Sequence, residues 1–220
     1  MPRDSPLRVW APRCKFTSPN ALPHTRSDAL VAAPVVVERG AALEPLDPAA
    51  ADAWVQASTD HFGGFDSVIH SAGIFSRAGV LFEAGQEEEI SRTMAVNLMG
   101  PWWLTRAAWP QLAAHGEGRL QVLVSMSGKR SKGRLAAYTA SKFALLGLCQ
   151  TMRNEGWEAG IRVTAICPGW VNTDMAAAVQ AIPAEAMTQP HDIAALSAEL
   201  LRLPNSAVPF ELAINCTLER

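Results

Sequence analysis

The sequence predicts an α/β fold built on a doubly wound parallel sheet, with helices on both faces. From residue 48 onward, short apolar segments of strand length alternate with longer segments of helix length. This alternation is typical of βαβ units, whose strands run parallel. The chain has 220 residues, of which 49% are hydrophobic and 18% are charged. This composition fits one domain with a substantial core.

Residues that favour helix N-termini predict where two of the helices begin. Asp47 or Pro48 is expected to start a helix that ends near His61, because both residue types are favoured at helix N-termini. Thr188 and Pro190 are expected to start the last helix, over residues 190–202, in the same way. The other predicted elements are strands over residues 66–70, 120–125, 162–166 and 210–215 and helices over residues 87–114 and 138–155, the first of these helices bent near Gly100 and Pro101.

Residues 1–40 differ in composition from the rest of the chain. Residues 1–50 hold eight of the 15 prolines, and Gly40 is the only glycine before Gly63. Proline-rich sequence without periodicity is typical of loops or disorder. A short strand is possible only over residues 35–37. The sequence therefore predicts an atypical, poorly ordered segment over residues 1–40 and a folded domain over residues 41–220.

The composition also argues against several function classes. The formal net charge of −2 disfavours general nucleic-acid binding, and no stretch approaches the roughly 18 apolar residues of a membrane span. The cysteines lack the spacing of a zinc site or a disulfide framework. They are Cys14, Cys149, Cys167 and Cys216. We expect reduced thiols in a cytoplasmic protein without a metal site.

Tyr138, the only tyrosine, and Lys142 form the most informative pair in the sequence. Residues four apart on a helix share one face, so the lysine ammonium is expected to lower the pKa of the phenol. Such a phenol can exchange a proton with a carbonyl/alcohol pair. Ser125 lies thirteen residues upstream, at the end of a predicted strand, where its hydroxyl could donate to the substrate oxygen. Ser127 is the competing candidate for that role.

Five ordered segments carry a resemblance to a known family. They read DSVIHSAG at 66–73, VNL at 96–98, LVSMSG at 123–128, YTASK at 138–142 and PGWVNT at 168–173. From about Leu46 to the C-terminus, the chain resembles the short-chain dehydrogenase/reductase family. The resemblance implies a Rossmann-like fold, NAD or NADP as cofactor, a small-molecule carbonyl or alcohol substrate, and a homo-oligomer.

The resemblance also assigns roles to individual residues. It implies a catalytic set of Asn97, Ser125, Tyr138 and Lys142. Within this set, the asparagine would keep a water that relays protons toward the lysine, and the lysine would also hold the nicotinamide ribose hydroxyls. The implied cofactor contacts are Asp47, Ala72, Gly73, Tyr138, Lys142, Pro168, Gly169, Val171 and Thr173.

Three smaller features leave alternatives open. His70 stands where the family usually has asparagine, and it either preserves a hydrogen bond or simply ends the strand. The basic run over residues 129–134 is either a solvated loop or an attractor for an anionic substrate or cofactor phosphate. Met126, Trp170 and Met175 are either walls of a substrate pocket or packing residues.

One departure from the family puts activity in question. The family opens with a strand and a TGxxxGxG turn, whose glycines let backbone N–H groups reach the cofactor pyrophosphate. This chain has no such motif, so its first βαβ unit is expected to be incomplete or replaced. The residues before Asp47 are either a mis-specified stretch or a genuine one that impairs cofactor binding. The alternative function is therefore a non-catalytic remnant that acts through oligomer contacts. A nucleotide-sugar epimerase is disfavoured because 220 residues leave little room for a sugar-binding subdomain.

Overall fold

Four parallel strands form the central sheet of the protein. The computed structural model describes residues 8–13, 31–36, 47–177 and 182–216. Its longer helices are α1 (Pro48–Phe62), α2 (Glu87–Met94), α3 (Gly100–Ala113), α4 (Ala136–Gly156) and α5 (Pro190–Arg202). The sheet has the order β3 (Ser67–His70), β4 (Arg119–Leu123), β5 (Arg162–Pro168) and β6 (Glu211–Ile214), with every neighbouring pair parallel. The predicted α/β fold with a Rossmann-like parallel sheet is confirmed.

Two further strands lie outside this sheet. β1 (Arg8–Arg13) pairs antiparallel with β2 (Val31–Val36), and β2 overlaps the short strand suggested for residues 35–37. β1 lies close to β3 without joining its hydrogen-bonded ladder. The other residues of the segment 1–40, with Cys14 among them, lie outside the described residues, so the poor order expected for that segment stays a prediction.

Strand β4 shows how the two faces of the sheet are covered. Leu120 and Val122 are fully buried among apolar residues of α3 and α4. Gln121 alternates with them and points to the opposite face, where its amide donates to the Ser197 carbonyl of α5 at 2.9 Å. Alternating side chains of one strand therefore contact different helix layers, which is the doubly wound arrangement.

Local chemistry explains where several helices begin and end. The Asp47 carboxylate accepts a hydrogen bond from Ala50 N at 2.6 Å, so the predicted cap of α1 is present. Thr188 does not cap α5. Gln189 is the cap instead, in a reciprocal pair in which Asp192 accepts from the Gln189 N–H at 3.0 Å. The sequence prediction was wrong by one residue there, because a glutamine is rarely preferred at an N-cap.

The long helix predicted over residues 87–114 is continuous but changes its winding. A π-helical turn over Ala95–Met99 joins α2 to α3, immediately before the predicted bend at Gly100 and Pro101. Such turns insert an extra residue into a helix and often occur at functional sites. This one contains Asn97, a residue of the predicted catalytic set.

Candidate active site

The predicted site residues gather at the carboxyl ends of β3, β4 and β5. Gly73 follows β3, Ser125 follows β4, and Gly169 follows β5. Helix α4 runs past these ends and contributes Tyr138 and Lys142 from its first two turns. In open parallel sheets ligands bind outside these strand ends, so the topology itself assembles the site.

Asn97 ties three elements of the site together. Its side chain is fully buried; Oδ1 accepts from Ile74 N at 2.8 Å, and Nδ2 donates to Ile74 O at 3.0 Å. Nδ2 also donates to the Ser141 hydroxyl at 3.0 Å, and that hydroxyl donates to Tyr138 O at 2.7 Å. The π turn therefore places an amide that fixes the loop after β3 against the first turn of α4.

Tyr138 is held between an aromatic ring and a hydroxyl. Its ring packs on Phe75 with the centroids 5.0 Å apart. Burial raises the pKa of the Tyr138 phenol above its ordinary value, while a hydrogen bond with the Ser125 side chain acts in the opposite direction. The lowering expected from Lys142 is not observed: burial is the largest effect on this pKa and raises it, and the opposing effect comes from Ser125.

Lys142 is buried directly beside this tyrosine. Its ammonium nitrogen lies 5.8 Å from the centroid of the Tyr138 ring and donates to Leu123 O at 3.1 Å. Burial lowers the pKa of Lys142 from 10.5 to about 8. The lysine is therefore mostly charged at neutral pH, yet close enough to neutrality to exchange a proton at low energetic cost.

Ser125 occupies an unusual backbone conformation at the end of β4. Its φ is 151°, in a region that side chains with a Cβ rarely adopt. The Ser125 Oγ accepts from Ser127 N at 3.0 Å. Of the two candidate serines, Ser125 is the one that hydrogen-bonds the Tyr138 phenol. Ser127 supplies its backbone N–H to hold Ser125.

Gly128 brings the loop after β4 against α4. A Cβ at this position would lie 2.7 Å from Val124 Cγ1 and 2.8 Å from Lys142 O, closer than atoms can approach. Only glycine therefore allows this contact between the loop that carries Ser125 and the helix that carries Lys142.

A cavity of about 280 Å³ opens in front of these groups. Eight of the predicted cofactor contacts line it, namely Ala72, Gly73, Tyr138, Lys142, Pro168, Gly169, Val171 and Thr173. Asn97, which is buried, and Ser125, which is half-buried, are not among the described lining residues. Asp47 is not among the described lining residues. It is exposed at the start of α1, so its contact with the adenine stays a prediction.

Sequence reasoning missed part of this lining. The additional lining residues are Ser71, Phe75, Leu123, Ala176, Pro190 and Ile193. Phe75 could have been found, because it lies only two residues after Gly73, where the motif ends. Pro190 and Ile193 belong to α5, and only the folding of the segment after β5 brings that helix to the cavity.

A smaller cavity of about 110 Å³ adjoins the first. The two cavities share Phe75, Gly169 and Trp170, and the smaller one is also lined by Met126 and Ser127. Trp170 and Met126 therefore line a pocket, and Met126 also packs against the hydrophobic core, so both predicted alternatives apply to Met126. Met175 lines the larger cavity.

His70 makes a hydrogen bond as well as ending β3. Its Nε2 lies 2.9 Å from the Thr105 hydroxyl of α3, so both alternatives from the sequence hold. Burial lowers the pKa of His70 from 6.5 to about 4, so the imidazole is neutral at pH 7. A neutral imidazole can link β3 to α3 much as an asparagine amide would.

The comparisons with known proteins agree with this geometry. Residues 40–183 match the model of the short chain dehydrogenase family. The chain belongs to this family. Over 167 residues it is 34% identical to an agropine synthesis reductase of Rhizobium rhizogenes, a match that covers 76% of this chain and 39% of the relative.

Two other known proteins are matched over more of their own length. The 3-oxoacyl-[acyl-carrier-protein] reductase of Vibrio cholerae is 30% identical over 171 residues, which cover 74% of this chain and 69% of the relative. An alcohol dehydrogenase from Thermococcus sibiricus, solved with 5-hydroxy-NADP, superposes with a TM-score of 0.71 at 26% identity and covers 81% of this chain and 74% of its own. The present chain nevertheless spans only 39% and 51% of the length of other curated relatives.

The larger cavity is the candidate site for the nicotinamide half of an NAD(P) cofactor. A Cβ at Gly73 would lie 3.4 Å from Asn97 Oδ1 and 3.5 Å from Lys142 Nζ, so the backbone of this loop lies directly beside the buried amide and the ammonium group. No glycine-rich turn for the pyrophosphate is present in the sequence. Within the described ranges, we find no cluster of three or more potential metal-ligating side chains. No described helix is both long and apolar enough to cross a membrane.

Proposed function

We propose that the protein is an NAD(P)-dependent oxidoreductase that interconverts a carbonyl group and a secondary alcohol. The observation that supports it most strongly is the common wall formed by Tyr138, Lys142 and the loop at Gly73 around one cavity. NAD(P)H, when bound, supplies the hydride that the carbonyl carbon receives. The chain must then supply a proton to the carbonyl oxygen and hydrogen bonds that stabilise its developing charge.

Tyr138, Ser125 and Lys142 each have a different role in protonating the carbonyl oxygen and stabilising the charge. The Tyr138 phenol donates its proton to the carbonyl oxygen in reduction and takes it back in oxidation. The Ser125 hydroxyl, which hydrogen-bonds the phenol, orients the same oxygen. The Lys142 ammonium stabilises the phenolate that remains, because an opposite charge in a buried site is weakly screened.

Asn97 supports this arrangement from behind the cavity. Its hydrogen bonds to Ile74 and Ser141 fix the distance between the loop after β3 and helix α4. We assign it a positioning role, since the polar atoms of its amide are engaged by protein groups in the structure. The water relay implied by the family resemblance remains part of the proposal and requires a change in one of these hydrogen bonds.

Tyr138→Phe tests the proposal most simply. Loss of the general acid is expected to lower kcat/KM by roughly 10² to 10⁴, measured as NADH or NADPH oxidation with a panel of aldehydes and ketones. The phenylalanine keeps the ring contact with Phe75, so the fold should survive. Thr139→Ala, one residue away on α4, is the control. Wild-type reduction that persists undiminished in Tyr138→Phe would refute the assignment.

A second candidate function follows from the missing glycine-rich motif. A chain that cannot hold the pyrophosphate would be a non-catalytic member of the family, acting through contacts between copies. Trp102 of α3 and Phe143 of α4 are 47% and 46% exposed, on helices where the resemblance implies oligomer contacts. Measured reduction of any carbonyl compound by the wild-type protein would exclude this candidate, whereas a folded oligomer without cofactor affinity would favour it.

A further inference from the structure

The basic run over residues 129–134 is divided among different surroundings in the structure. Lys129 forms an ion pair with Glu211 of β6. The Cβ of Arg134 lies 3.8 Å from the position that a Cβ would take at Gly79, and Arg134 is not among the described lining residues of either cavity. Arg130 and Lys132 instead line the smaller cavity. The run is therefore more than a uniformly solvated loop, because half-buried Arg130 and exposed Lys132 both line a partly open cavity.

The smaller cavity has a positive and partly aromatic lining. None of the described residues that line it is acidic, while Arg130 and Lys132 each carry a positive charge. Phe75 and Trp170 form apolar walls. A cleft lined by one sign of charge and by walls of low dielectric constant concentrates the field and attracts the opposite charge. A guanidinium group is also well suited to bind a carboxylate or phosphate through two parallel hydrogen bonds.

The position of this cavity relates it to the substrate. It shares Phe75, Gly169 and Trp170 with the larger cavity, and the Phe75 ring packs on the ring of Tyr138. A molecule whose carbonyl oxygen lies at Tyr138 could therefore extend past Phe75 and Trp170 into the smaller cavity. The volume of about 110 Å³ restricts what enters it to a small group.

We propose that the smaller cavity binds a carboxylate or phosphate group of the substrate, so that the protein acts on an anionic carbonyl compound such as an oxo acid. This inference rests on the proposed function and specifies its substrate class. Arg130 and Lys132 bind the anionic group, and the aromatic walls contact the carbon chain between that group and the carbonyl.

The kinetic test compares acids with their neutral esters. Acyclic oxo acids of four to eight carbons and the methyl ester of each are offered with saturating NADPH or NADH. Removal of the negative charge is expected to lower kcat/KM about tenfold or more for the acids that reach the cavity, the size expected for hydrogen bonds to a charged group. Esters that are reduced as well as their acids throughout the series would overturn the inference.

Substitutions assign this preference to the two cations. In Arg130→Gln and Lys132→Gln, the ratio of kcat/KM for acid over ester is expected to fall about tenfold, mostly through a higher KM for the acid. Arg134→Gln removes the same charge from the same loop outside the cavity and should leave the ratio as in the wild type. Arg130→Lys keeps the charge and should retain part of the preference. An equal effect of Arg134→Gln would show that only the net charge of the loop matters and would overturn the inference.

Binding experiments separate failure of this inference from failure of the proposed function. Titration calorimetry of the cofactor-free protein with the same acids and esters requires no turnover. Charge-dependent binding that Arg130→Gln weakens, without reduction of any compound, would refute the proposed activity and leave the anion site. Reduction of acids and esters alike would leave the activity and refute the anion site. A weaker affinity of Arg130→Gln for NADPH, with that for NADH unchanged, would assign the cations to the cofactor phosphate and likewise refute it.

Discussion

At the residue scale, the ammonium group of Lys142 is buried in the wall of the candidate active site, where its charge is poorly solvated. Burial lowers its pKa from 10.5 to about 8. Between these two values the unfolded chain binds a proton that the folded chain has lost, so this lysine makes the fold less stable at neutral pH by about 3 kcal/mol than at high pH. A group retained at this cost is typical of a functional site.

Lys142→Met should therefore stabilise the fold while it abolishes activity. The methionine removes the buried charge but also loses the hydrogen bond to Leu123 O, which is worth about 1 kcal/mol. A net gain of about 2 kcal/mol at pH 7 is expected in urea unfolding. The gap to the wild type should shrink as the pH rises from about 8 to 10.5. Lys132→Met, an exposed control, should show no such gap, and a destabilised Lys142→Met would contradict the argument.

His70 gives the protein a separate sensitivity to acid. Its pKa of about 4 in the folded state lies below the ordinary 6.5, so the unfolded chain binds more protons between these values and the stability falls as the pH falls. The loss between pH 7 and pH 5 is expected to be about 2 kcal/mol.

His70→Asn, which restores the residue usual in the family, should remove this part of the pH dependence. Urea midpoints at pH 7 and pH 5 measure it directly. His191→Asn, at a histidine with a largely exposed side chain, is the matched control and should behave like the wild type. Parallel losses of stability in the wild type and His70→Asn would contradict the assignment.

At the element scale, the loop after β4 can pack on α4 only because residue 128 is a glycine and has no Cβ. A Cβ at Gly128 would lie 2.8 Å from Lys142 O, so the loop can carry Ser125 to Tyr138 only while residue 128 is glycine. Overpacking of this kind typically costs about 1 to 3 kcal/mol.

Gly128→Ala is expected to lower the free energy of unfolding by that amount and to lower kcat/KM by a larger factor, since Ser125 and Tyr138 move apart. Gly147→Ala is the control, and it lies on α4, the helix against which the loop of Gly128 packs. A Cβ at Gly147 meets nothing within 4 Å, so alanine there should stabilise α4 by about 0.5 to 1 kcal/mol. Equal stabilities of Gly128→Ala and the wild type would refute the close contact.

The elements also show what the sequence could and could not predict. Alternating apolar segments predicted β3 to β6 and their helices, because each element has a strong periodicity of its own. The YxxxK spacing predicted that Tyr138 and Lys142 share a face, because a helix enforces it. The π turn at Asn97 was not predictable, since it arises from the contacts of that amide with Ile74 and Ser141 in other elements.

The direction of the Tyr138 pKa shift was not predictable for a related reason. Sequence spacing places a cation near the phenol, but solvation depends on every residue packed around it. Phe75 covers one side of the ring, and burial then outweighs the favourable partners. The contribution of Pro190 and Ile193 to the cavity depends likewise on how the segment after β5 folds back over the sheet.

At the scale of the whole molecule, the candidate active site belongs to a chain whose sequence lacks the TGxxxGxG turn. The proposed nicotinamide site consists of the cavity lined by Lys142 and by the loop at Gly73. The sequence before Gly63 contains a single glycine and offers no equivalent of the TGxxxGxG motif. The central claim, that this chain performs the family's chemistry, therefore depends on whether it holds the cofactor.

Titration of the purified protein with NADH and NADPH, followed by nicotinamide fluorescence, tests this claim most directly. Gly73→Val is the companion variant, because a side chain there would intrude between Asn97 and Lys142. We predict saturable binding of at least one cofactor by the wild type and markedly weaker binding by Gly73→Val. A folded wild-type protein that binds neither cofactor at millimolar concentration would contradict the oxidoreductase function and leave only the ancestry of the fold.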